Sequence, residues 1–190
     1  MNANPPLVRA EVANRSYPRW IETLRDQTKV LIRPLTPDDR DAERAFIEGL
    51  SEEARRYRFL GQVRSPSEDL IRQLTELDYV HQVAFAAVVN DNLHDRIVGV
   101  SRFATDATGR SCECAVTVTD DWQNRGLATV LMRHLIAVAR SLEIERMVSF
   151  DDAQNVQMRD LARHLGFSCR VDPDDATQVI HELTLRPHES

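Results

Sequence analysis

The sequence is poor in cysteine and glycine and has no long hydrophobic run, and each shortage excludes a class of protein. Its 190 residues include 3 cysteines, an odd number that argues against a disulfide framework and favours a reducing, cytoplasmic compartment. The 6 glycines form neither G-x-G-x-x-G nor G-x-x-x-x-G-K-[ST], so we expect neither a dinucleotide loop nor a P-loop. No apolar run approaches the ~18 residues that a membrane helix requires, so we expect no membrane span.

Aromatic side chains are also scarce, and acidic side chains outnumber basic ones. Only 6% of the residues are aromatic, and 24 basic against 30 acidic residues give a formal net charge of -6. Proteins that bind nucleic acid without regard to sequence take their affinity from a basic face, so nucleic acid is not an expected partner. The histidines and cysteines lack the spacing typical of a metal site, so we expect no metal.

The beginning of the sequence differs from the rest. Residues 1–17 have mixed polarity and include two adjacent prolines. They lack the basic segment followed by an apolar one that marks a secretory signal. Their prolines and mixed polarity predict a poorly ordered N-terminal extension. The remainder, 18–187, has the length of one domain.

Hydrophobic periodicity predicts an α/β (α+β) fold in which helices flank a mixed, mostly antiparallel sheet. Strands are predicted at 20–25, 29–33, 83–89, 97–104, 111–119, 146–150, 167–171 and 178–185, and helices at 36–50, 51–60, 65–77, 124–141 and 155–165. The short connections within 83–119 indicate an antiparallel meander. A helix separates the strands at 111–119 and 146–150, so these two run parallel if they share the sheet.

The turn between the strand at 111–119 and the next helix has a distinctive pattern. It carries Gln123, Gly126 and Ala128 as Q-x-x-G-x-A, where the start of a helix leaves several backbone N–H groups without partners. Gly126 allows a ligand to approach the backbone closely, and Arg125 adds a positive charge to the helix dipole. The pattern indicates a site for an anion such as phosphate, although a tight strand-to-helix turn with polar surface residues explains it equally well.

Four segments together resemble one known family. The segment W-Q-N-R-G-L-A-T at 122–129 is similar to the acyl-CoA pyrophosphate loop of the GNAT superfamily of N-acetyltransferases. The segment from Asn155 to Phe167, with Leu161 and Gly166 at matching positions, resembles the next motif of that superfamily, a helix that ends in G-F. The segments T-L-R-D-Q-T-K-V-L-I-R-P-L and L-S-E-E-A-R-R-Y-R-F-L-G resemble the acetyltransferase domain of bacterial protein-lysine acetyltransferases.

The resemblance implies a GNAT-type fold over about 28–185, with splayed parallel central strands and acetyl-CoA bound in the gap between them. The pantetheine arm is expected to pair with main-chain groups of Val116, Thr117 and Val118. Asn155 matches the asparagine whose side chain reaches the arm or nearby main chain. The pyrophosphate is expected to bind the loop residues Gln123, Asn124, Arg125, Gly126, Leu127 and Ala128, with Thr129 adjacent.

The implied reaction is direct attack of a primary amine on the thioester, and it requires a base because an ammonium group is not a nucleophile. Glu113 is the candidate base, since C-E-C-A-V resembles the segment that carries the base in the lysine-acetyltransferase subgroup; a glutamate solvated on an open sheet face is the alternative. Many members of the superfamily protonate the departing thiolate with a tyrosine at the position of Ala162, so this acid is missing here. CoA thiolate is a modest base, so solvent or the substrate ammonium can supply the proton, and Tyr57 and Tyr79 also stay open as substitutes.

These features predict an N-acetyltransferase that transfers an acetyl group from acetyl-CoA to a primary amine. The acceptor is a protein lysine by resemblance to the subgroup, or a small amine. The alternative is an acyl-CoA-binding sensor or interaction module without turnover, because the usual tyrosine is absent. Similar proteins commonly pair through a sheet edge, which leaves a homodimer open.

Overall fold

The computed structural model describes residues 18–59, 65–91 and 94–186. The predicted extension at 1–17 lies outside these residues. The strands are β1 (Trp20–Thr23), β2 (Lys29–Pro34), β3 (Gln82–Asp91), β4 (His94–Thr105), β5 (Ser111–Val118), β6 (Arg146–Asp152), β7 (Ser168–Val171) and β8 (Gln178–Thr184). They form one sheet in the order β1-β2-β3-β4-β5-β6-β8-β7.

Helices flank this sheet on both faces. In the described part of the chain they are α1 (Arg40–Gly49), α2 (Glu52–Phe59), α3 (Glu68–Thr75), α4 (Leu127–Ser141) and α5 (Val156–His164). None of these helices has the length and apolar character needed to cross a membrane. The predicted mixed, mostly antiparallel sheet flanked by helices is confirmed.

The connection through α4 makes β5 and β6 run parallel, and their pairing is short. Their ladder joins 111–113 to 146–148 and ends at the pair Glu113 and Val148. Beyond that point β5 stays paired with β4 as far as Val118, and β6 stays paired with β8 as far as Asp152. Each strand follows its other neighbour, so a gap opens between 114–118 and 149–152. The predicted splay of the parallel central strands is therefore confirmed.

The first turn before α1 follows the signal in the sequence. The carboxylate of Asp39 accepts the N–H of Thr36 at 2.8 Å and the hydroxyl of Thr36 at 2.9 Å. The same carboxylate binds both terminal nitrogens of Arg33 at 2.7 and 2.8 Å. Burial alone would raise the pKa of Asp39, but the Arg33 guanidinium and the Thr36 N–H outweigh it and lower this pKa. The carboxylate thus ties β2 to the beginning of α1.

The beginning of α4 differs from the prediction. The helix starts at Leu127, later than the predicted 124. Asn124 has a φ of 61° and Gly126 a φ of 86°, and these left-handed conformations do not fit a continuous right-handed helix. Residues 123–126 therefore form a loop at the mouth of the β5–β6 gap.

Two hydrophobic cores lie on opposite faces of the sheet. The first core packs α4 and α5 against the sheet and includes Phe85, Leu131, Leu135, Met147 and Ala162. The second core packs α1 and α3 against the other face and includes Phe46, Ile47, Ile71 and Val100. Cys112 and Cys114 belong to the first core, so Glu113 between them points to the face of α1–α3.

Candidate active site

The divergence of β5 and β6 opens a cleft of about 770 Å³. Its walls are the splayed parts of the two strands, the loop at 123–126, and residues of α2 and α5. Every residue that the sequence predicts for the site lines this cleft except Arg125; those that do are Glu113, Val116, Thr117, Val118, Gln123, Asn124, Gly126, Leu127, Ala128, Thr129 and Asn155.

The loop before α4 presents unpaired main-chain N–H groups. The first helical hydrogen bond runs from the N–H of Val130 to the carbonyl oxygen of Gly126 at 3.2 Å. Within the described part of the chain, the amides of 124–129 donate to no backbone acceptor. The amides and the positive end of the α4 dipole together favour an anion at this position.

Arg125 has a structural contact and does not line the cleft. Its Nη1 binds Asp26 Oδ2 at 3.0 Å, and its Nη2 binds the carbonyl oxygen of Asp121 at 2.8 Å. The guanidinium carbon lies 4.7 Å from the centre of the Trp122 ring. The charge of Arg125 is therefore balanced by Asp26, in the turn between β1 and β2.

Arg25, in the same turn, is the cation that faces the loop amides. It lines the cleft, and its Nε lies 3.4 Å from where a Cβ would stand on Gly126. Its side chain makes no hydrogen bond or ion pair with the residues described in the structure. The N–H of Arg25 donates to the carbonyl oxygen of Arg125 at 3.3 Å, which fixes the turn against the loop.

Glu113 points into the cleft on the side of α2. Arg58 of α2 also lines the cleft and lies close enough to Glu113 for their charges to interact. Burial lowers the pKa of Arg58 to about 10, helped by Arg102 and opposed by Glu43 and Glu113. Arg58 is still a cation at neutral pH, and it attracts the carboxylate of Glu113.

Arg58 connects this carboxylate to a buried ion pair under α1. Arg102 Nη2 of β4 binds Glu43 Oε1 at 2.9 Å, and 14% and 3% of the two side chains are exposed. Burial raises the pKa of Glu43, although the Arg102 guanidinium opposes the shift. Among the described residues, Glu43 Oε2 and Arg102 Nε have no hydrogen-bond partner. A chain of charges thus runs from the second core to the cleft.

The two tyrosines that the sequence left open as acids differ in position. The Tyr79 hydroxyl donates to the carbonyl oxygens of Leu35 and Ala84, and Tyr79 does not line the cleft. Tyr57 does line the cleft, and its hydroxyl donates to Glu53 Oε1 at 3.0 Å. Tyr57 is therefore the tyrosine of this pair that the cleft offers as an acid.

Two residues of the second motif lie on α5 and its N-terminus. Asn155 lines the cleft, and its Oδ1 accepts the N–H of Met158 at 3.0 Å, which caps α5. Ala162 is 1% exposed in the first core. The position for which the resemblance implies a tyrosine therefore has no hydroxyl, and the surrounding core closes over it.

The sequence analysis missed a polar cluster on the wall of the gap. Ser149 and Asp151 of β6 line the cleft, and His181 of β8 lies beside them with 1% of its surface exposed. Ser149 and His181 face each other in the β6–β8 ladder. The alternation of β6 between buried and exposed positions was the available signal, but it does not reveal which histidine the ladder brings opposite. Arg25 was missed for the same reason, since its contact with Gly126 is tertiary.

Comparisons with known proteins agree with this geometry. The Acetyltransferase (GNAT) domain matches residues 29–168. Acetyltransferase PA5475 of Pseudomonas aeruginosa is 50% identical over 166 residues, which are 87% of this chain and 89% of that protein. Acetyltransferase Pat of Mycolicibacterium smegmatis is 31% identical over 139 residues, which are 71% of this chain and 40% of Pat. The solved GNAT domain of S. lividans PAT is 26% identical with a TM-score of 0.81, and the match covers 88% of this chain and 99% of that domain.

The splayed sheet flanked by helices is the fold of an acetyltransferase of the GNAT type. The chain belongs to the GNAT acetyltransferase family, as both the domain match and the 50% identical relative establish. The resemblance to the PAT acetyltransferases is confirmed as well.

Proposed function

We propose that this protein transfers an acetyl group from acetyl-CoA to a primary amine by direct attack of the amine on the thioester. The observation that carries the proposal is the end of the β5–β6 ladder at Glu113. It leaves a gap with an unpaired strand edge on one side, free helix-terminal amides at its mouth, and a carboxylate where the two strands part. Membership of the GNAT family supports acetyl-CoA as the donor.

Two parts of the cleft suit the two ends of the donor. The edge of β5 from 114 to 118 that faces β6 is unpaired, so its main-chain groups can bind the amides of a pantetheine arm as they would a neighbouring strand. The amides at 124–129 suit a diphosphate, and Arg25 adds a positive charge beside them. Gly126 has no side chain to block this approach.

Glu113 is the proposed base. An amine that arrives protonated must lose a proton before it attacks, and Glu113 points into the cleft from the end of the ladder. The attack places a negative charge on the thioester oxygen, and an unpaired N–H of β5 can stabilise it. Arg58 holds the Glu113 side chain toward α2 through the attraction of their charges.

The charges of the cleft favour a cationic acceptor, a protein lysine or a small amine. Glu53, Asp120 and Glu113 line the cleft on the side of α2 and the loop. Arg58 balances one of these carboxylates, so the entrance stays acidic. Such an entrance raises the local concentration of an alkylammonium group.

A sensor that binds acyl-CoA without turnover is the second candidate function. The observation in its favour is Ala162, which supplies no hydroxyl to the departing sulfur. The two functions share the donor site and differ in whether free thiol is released.

The test is to follow free thiol while the protein is mixed with acetyl-CoA and a panel of lysine peptides and small amines. We expect thiol release with at least one amine. Glu113→Gln is expected to lower kcat about 100-fold or more, since a general base contributes ~100- to 10,000-fold, with the affinity for CoA unchanged. Binding of CoA without thiol release from any amine would instead establish the sensor.

Glu52→Gln is the matched control. Glu52 begins α2 and is exposed, and it does not line the cleft. The substitution removes the same charge from the same side of the protein, so kcat is expected to stay at the level of the unsubstituted protein. Equal losses of kcat in the two variants would show that Glu113 acts only through its contribution to the electrostatic field of the protein.

A further inference from the structure

The wall of the gap opposite β5 carries a polar cluster whose place follows from the register of the sheet. The β5–β6 ladder ends at Val148, so Ser149 and Asp151 are the first residues of β6 beyond it on the face of the first core. Continuing the register would set Ser149 level with Cys114, which also lines the cleft. A thioester bound in the gap would therefore lie beside this cluster.

The contacts inside the cluster are close and incomplete. The Ser149 hydroxyl donates to Asp151 Oδ2 at 2.5 Å. His181 Nε2 lies 3.8 Å from the same oxygen, and the two side chains are 1% and 12% exposed. Neither ring nitrogen of His181 has a hydrogen-bond partner among the described residues. A buried imidazole without partners is costly and is rare in native proteins, so it requires an explanation.

Burial shifts the groups of the cluster toward their neutral forms. It raises the pKa of Asp151, although the Ser149 hydroxyl and His181 oppose the shift. It lowers the pKa of His181, with Asp151 opposing and Arg159 of α5 adding to the effect. From β5, the Cys114 thiol also faces Asp151, and burial raises the pKa of this thiol well above its usual value. Asp151 is thus a carboxyl group that retains its proton to a higher pH than an exposed aspartate does.

The proposed reaction lacks the usual source of a proton for the departing sulfur, because Ala162 has replaced the tyrosine. Tyr57 reaches the cleft from α2, on the opposite face of the sheet, and its hydroxyl is engaged with Glu53. Asp151 reaches the gap from the face of α5, which is also the face of Ala162. Position and chemistry both favour the carboxyl group.

We propose that Asp151, supported by Ser149 and His181, donates the proton to the sulfur that leaves acetyl-CoA. The inference rests on the proposed acetyl transfer. The amine nitrogen forms a bond to the carbonyl carbon, and the C–S bond breaks with its electron pair on sulfur. The Asp151 proton passes to that sulfur and gives the thiol of CoA, while Glu113 holds the proton from the amine. The nitrogen loses two protons in all, one to Glu113 before the attack and a second as the amide forms. One of these protons replaces, through solvent, the proton that Asp151 gave to sulfur, and the other is released to solvent, so the cycle closes.

The first test compares Asp151→Asn with Asp160→Asn. Asp160 of α5 lines the same cleft, but its side chain is 64% exposed and pairs with Arg163. Asp151→Asn is expected to lower kcat about 100-fold, the lower end of the effect of a general acid, with the KM for acetyl-CoA unchanged. Asp160→Asn removes a carboxylate from the same cleft and is expected to lower kcat far less than Asp151→Asn does. An unaltered kcat in a folded Asp151→Asn protein overturns the proposal.

The second test uses the pH dependence of kcat, and its decisive variant is at Ser149 and not at Asp151. Asp151 must be protonated to donate, so kcat is expected to fall as pH rises through its pKa. The hydrogen bond from Ser149 lowers that pKa, so Ser149→Ala is expected to move the alkaline decline to higher pH. Asp151→Asn is expected to abolish the decline. A decline that stays in place in Ser149→Ala overturns the proposal, even if Asp151→Asn fails to fold.

The third test separates this inference from the proposed function. CoA and desulfo-CoA differ only at the sulfur, so the ratio of their affinities reports a contact with it whether or not the protein turns over. We expect Asp151→Asn to change this ratio and Asp160→Asn to leave it unchanged. If no amine is acetylated, the proposed function fails; an unchanged ratio in Asp151→Asn shows that Asp151 does not face the sulfur.

Discussion

The two faces of the sheet are stabilised by different chemistry. Under α4, hydrophobic side chains such as Leu131, Met132 and Leu135 fill the first core completely. Under α1, the second core lies beside two ion pairs with little exposure, Arg33 with Asp39 and Arg102 with Glu43. Arg58 extends the second pair to Glu113 in the cleft. A change in the apolar core under α4 leaves every charge in place, whereas a change in the ion pairs also reaches the proposed base.

This difference separates the two substrates of the proposed reaction. The donor loop, residues 123–126, where we propose that acetyl-CoA binds, leads into α4, the helix with the larger apolar face. A rigid support suits a ligand that is the same in every cycle. The acceptor side, at α2, is connected to buried charges whose protonation can change. The variants below test whether the two faces differ in this way.

The largest expected effect is the loss of stability on removing one member of the buried ion pair. Arg102→Met leaves the Glu43 carboxylate buried without its partner, and such a change typically costs about 3–5 kcal/mol. Leu131→Ala on the other face is expected to cost a similar amount, about 2–5 kcal/mol, by creating a cavity. Urea unfolding of both variants gives the two free energies.

The pH dependence of these losses distinguishes the two faces. Burial raises the pKa of Glu43, so lowering the pH protonates Glu43 and removes the unpaired charge in Arg102→Met. The loss of unfolding free energy in Arg102→Met is therefore expected to shrink as pH falls through the raised pKa of Glu43, while the loss in Leu131→Ala stays constant. The double variant Glu43→Leu with Arg102→Met is expected to recover most of the stability. Equal pH dependence in the two single variants would contradict the contrast between the faces.

The next largest effect is expected at the donor loop. Gly126→Asp places a carboxylate beside the free amides in a left-handed conformation, and we expect the affinity for CoA to fall about 100-fold, or ~2.7 kcal/mol. Gly109→Asp is the matched control, because Gly109 has a φ of 71° and open space around it, and it does not line the cleft. It introduces the same charge and comparable strain, and CoA binding should persist. Calorimetric titration of both variants with CoA measures the difference.

The sequence was sufficient for the elements and for the unpaired amides at the start of α4, because both are local. Periodicity marked the strands, and the Q-x-x-G-x-A pattern placed the amides within a few residues of each other. The side chains that complete the cleft depend on contacts between distant segments. His181 lies opposite Ser149 only because of the β6–β8 register. In the sequence, Arg102 is simply a polar residue of an alternating strand, and its partner Glu43 belongs to the distant α1. Neither pairing leaves a trace in local patterns.

The two arginines near the loop also show that contacts between distant segments cannot be predicted from local sequence. Their substitution gives the smallest expected effect, a change in the affinity for CoA. The motif contains Arg125, but Asp26 and Trp122 hold its guanidinium. Arg25 is distant in sequence and faces the cleft. We expect Arg25→Ala to lower the affinity for CoA about tenfold, or ~1.4 kcal/mol, and Arg125→Ala to lower it less.

The physical reason is the difference in what each charge already binds. Removing Arg125 takes no uncompensated charge from the cleft, because Asp26 neutralises it, and loss of this exposed pair is expected to change stability little. Arg25 contributes an uncompensated charge, so its effect is expected to weaken at high salt and to vanish for a pantetheine thioester that lacks the diphosphate. Titration of both variants with CoA at two salt concentrations, and with the truncated thioester, measures these effects. A larger loss of CoA affinity in Arg125→Ala than in Arg25→Ala would show that Arg125, the residue inside the motif, contacts the phosphate instead.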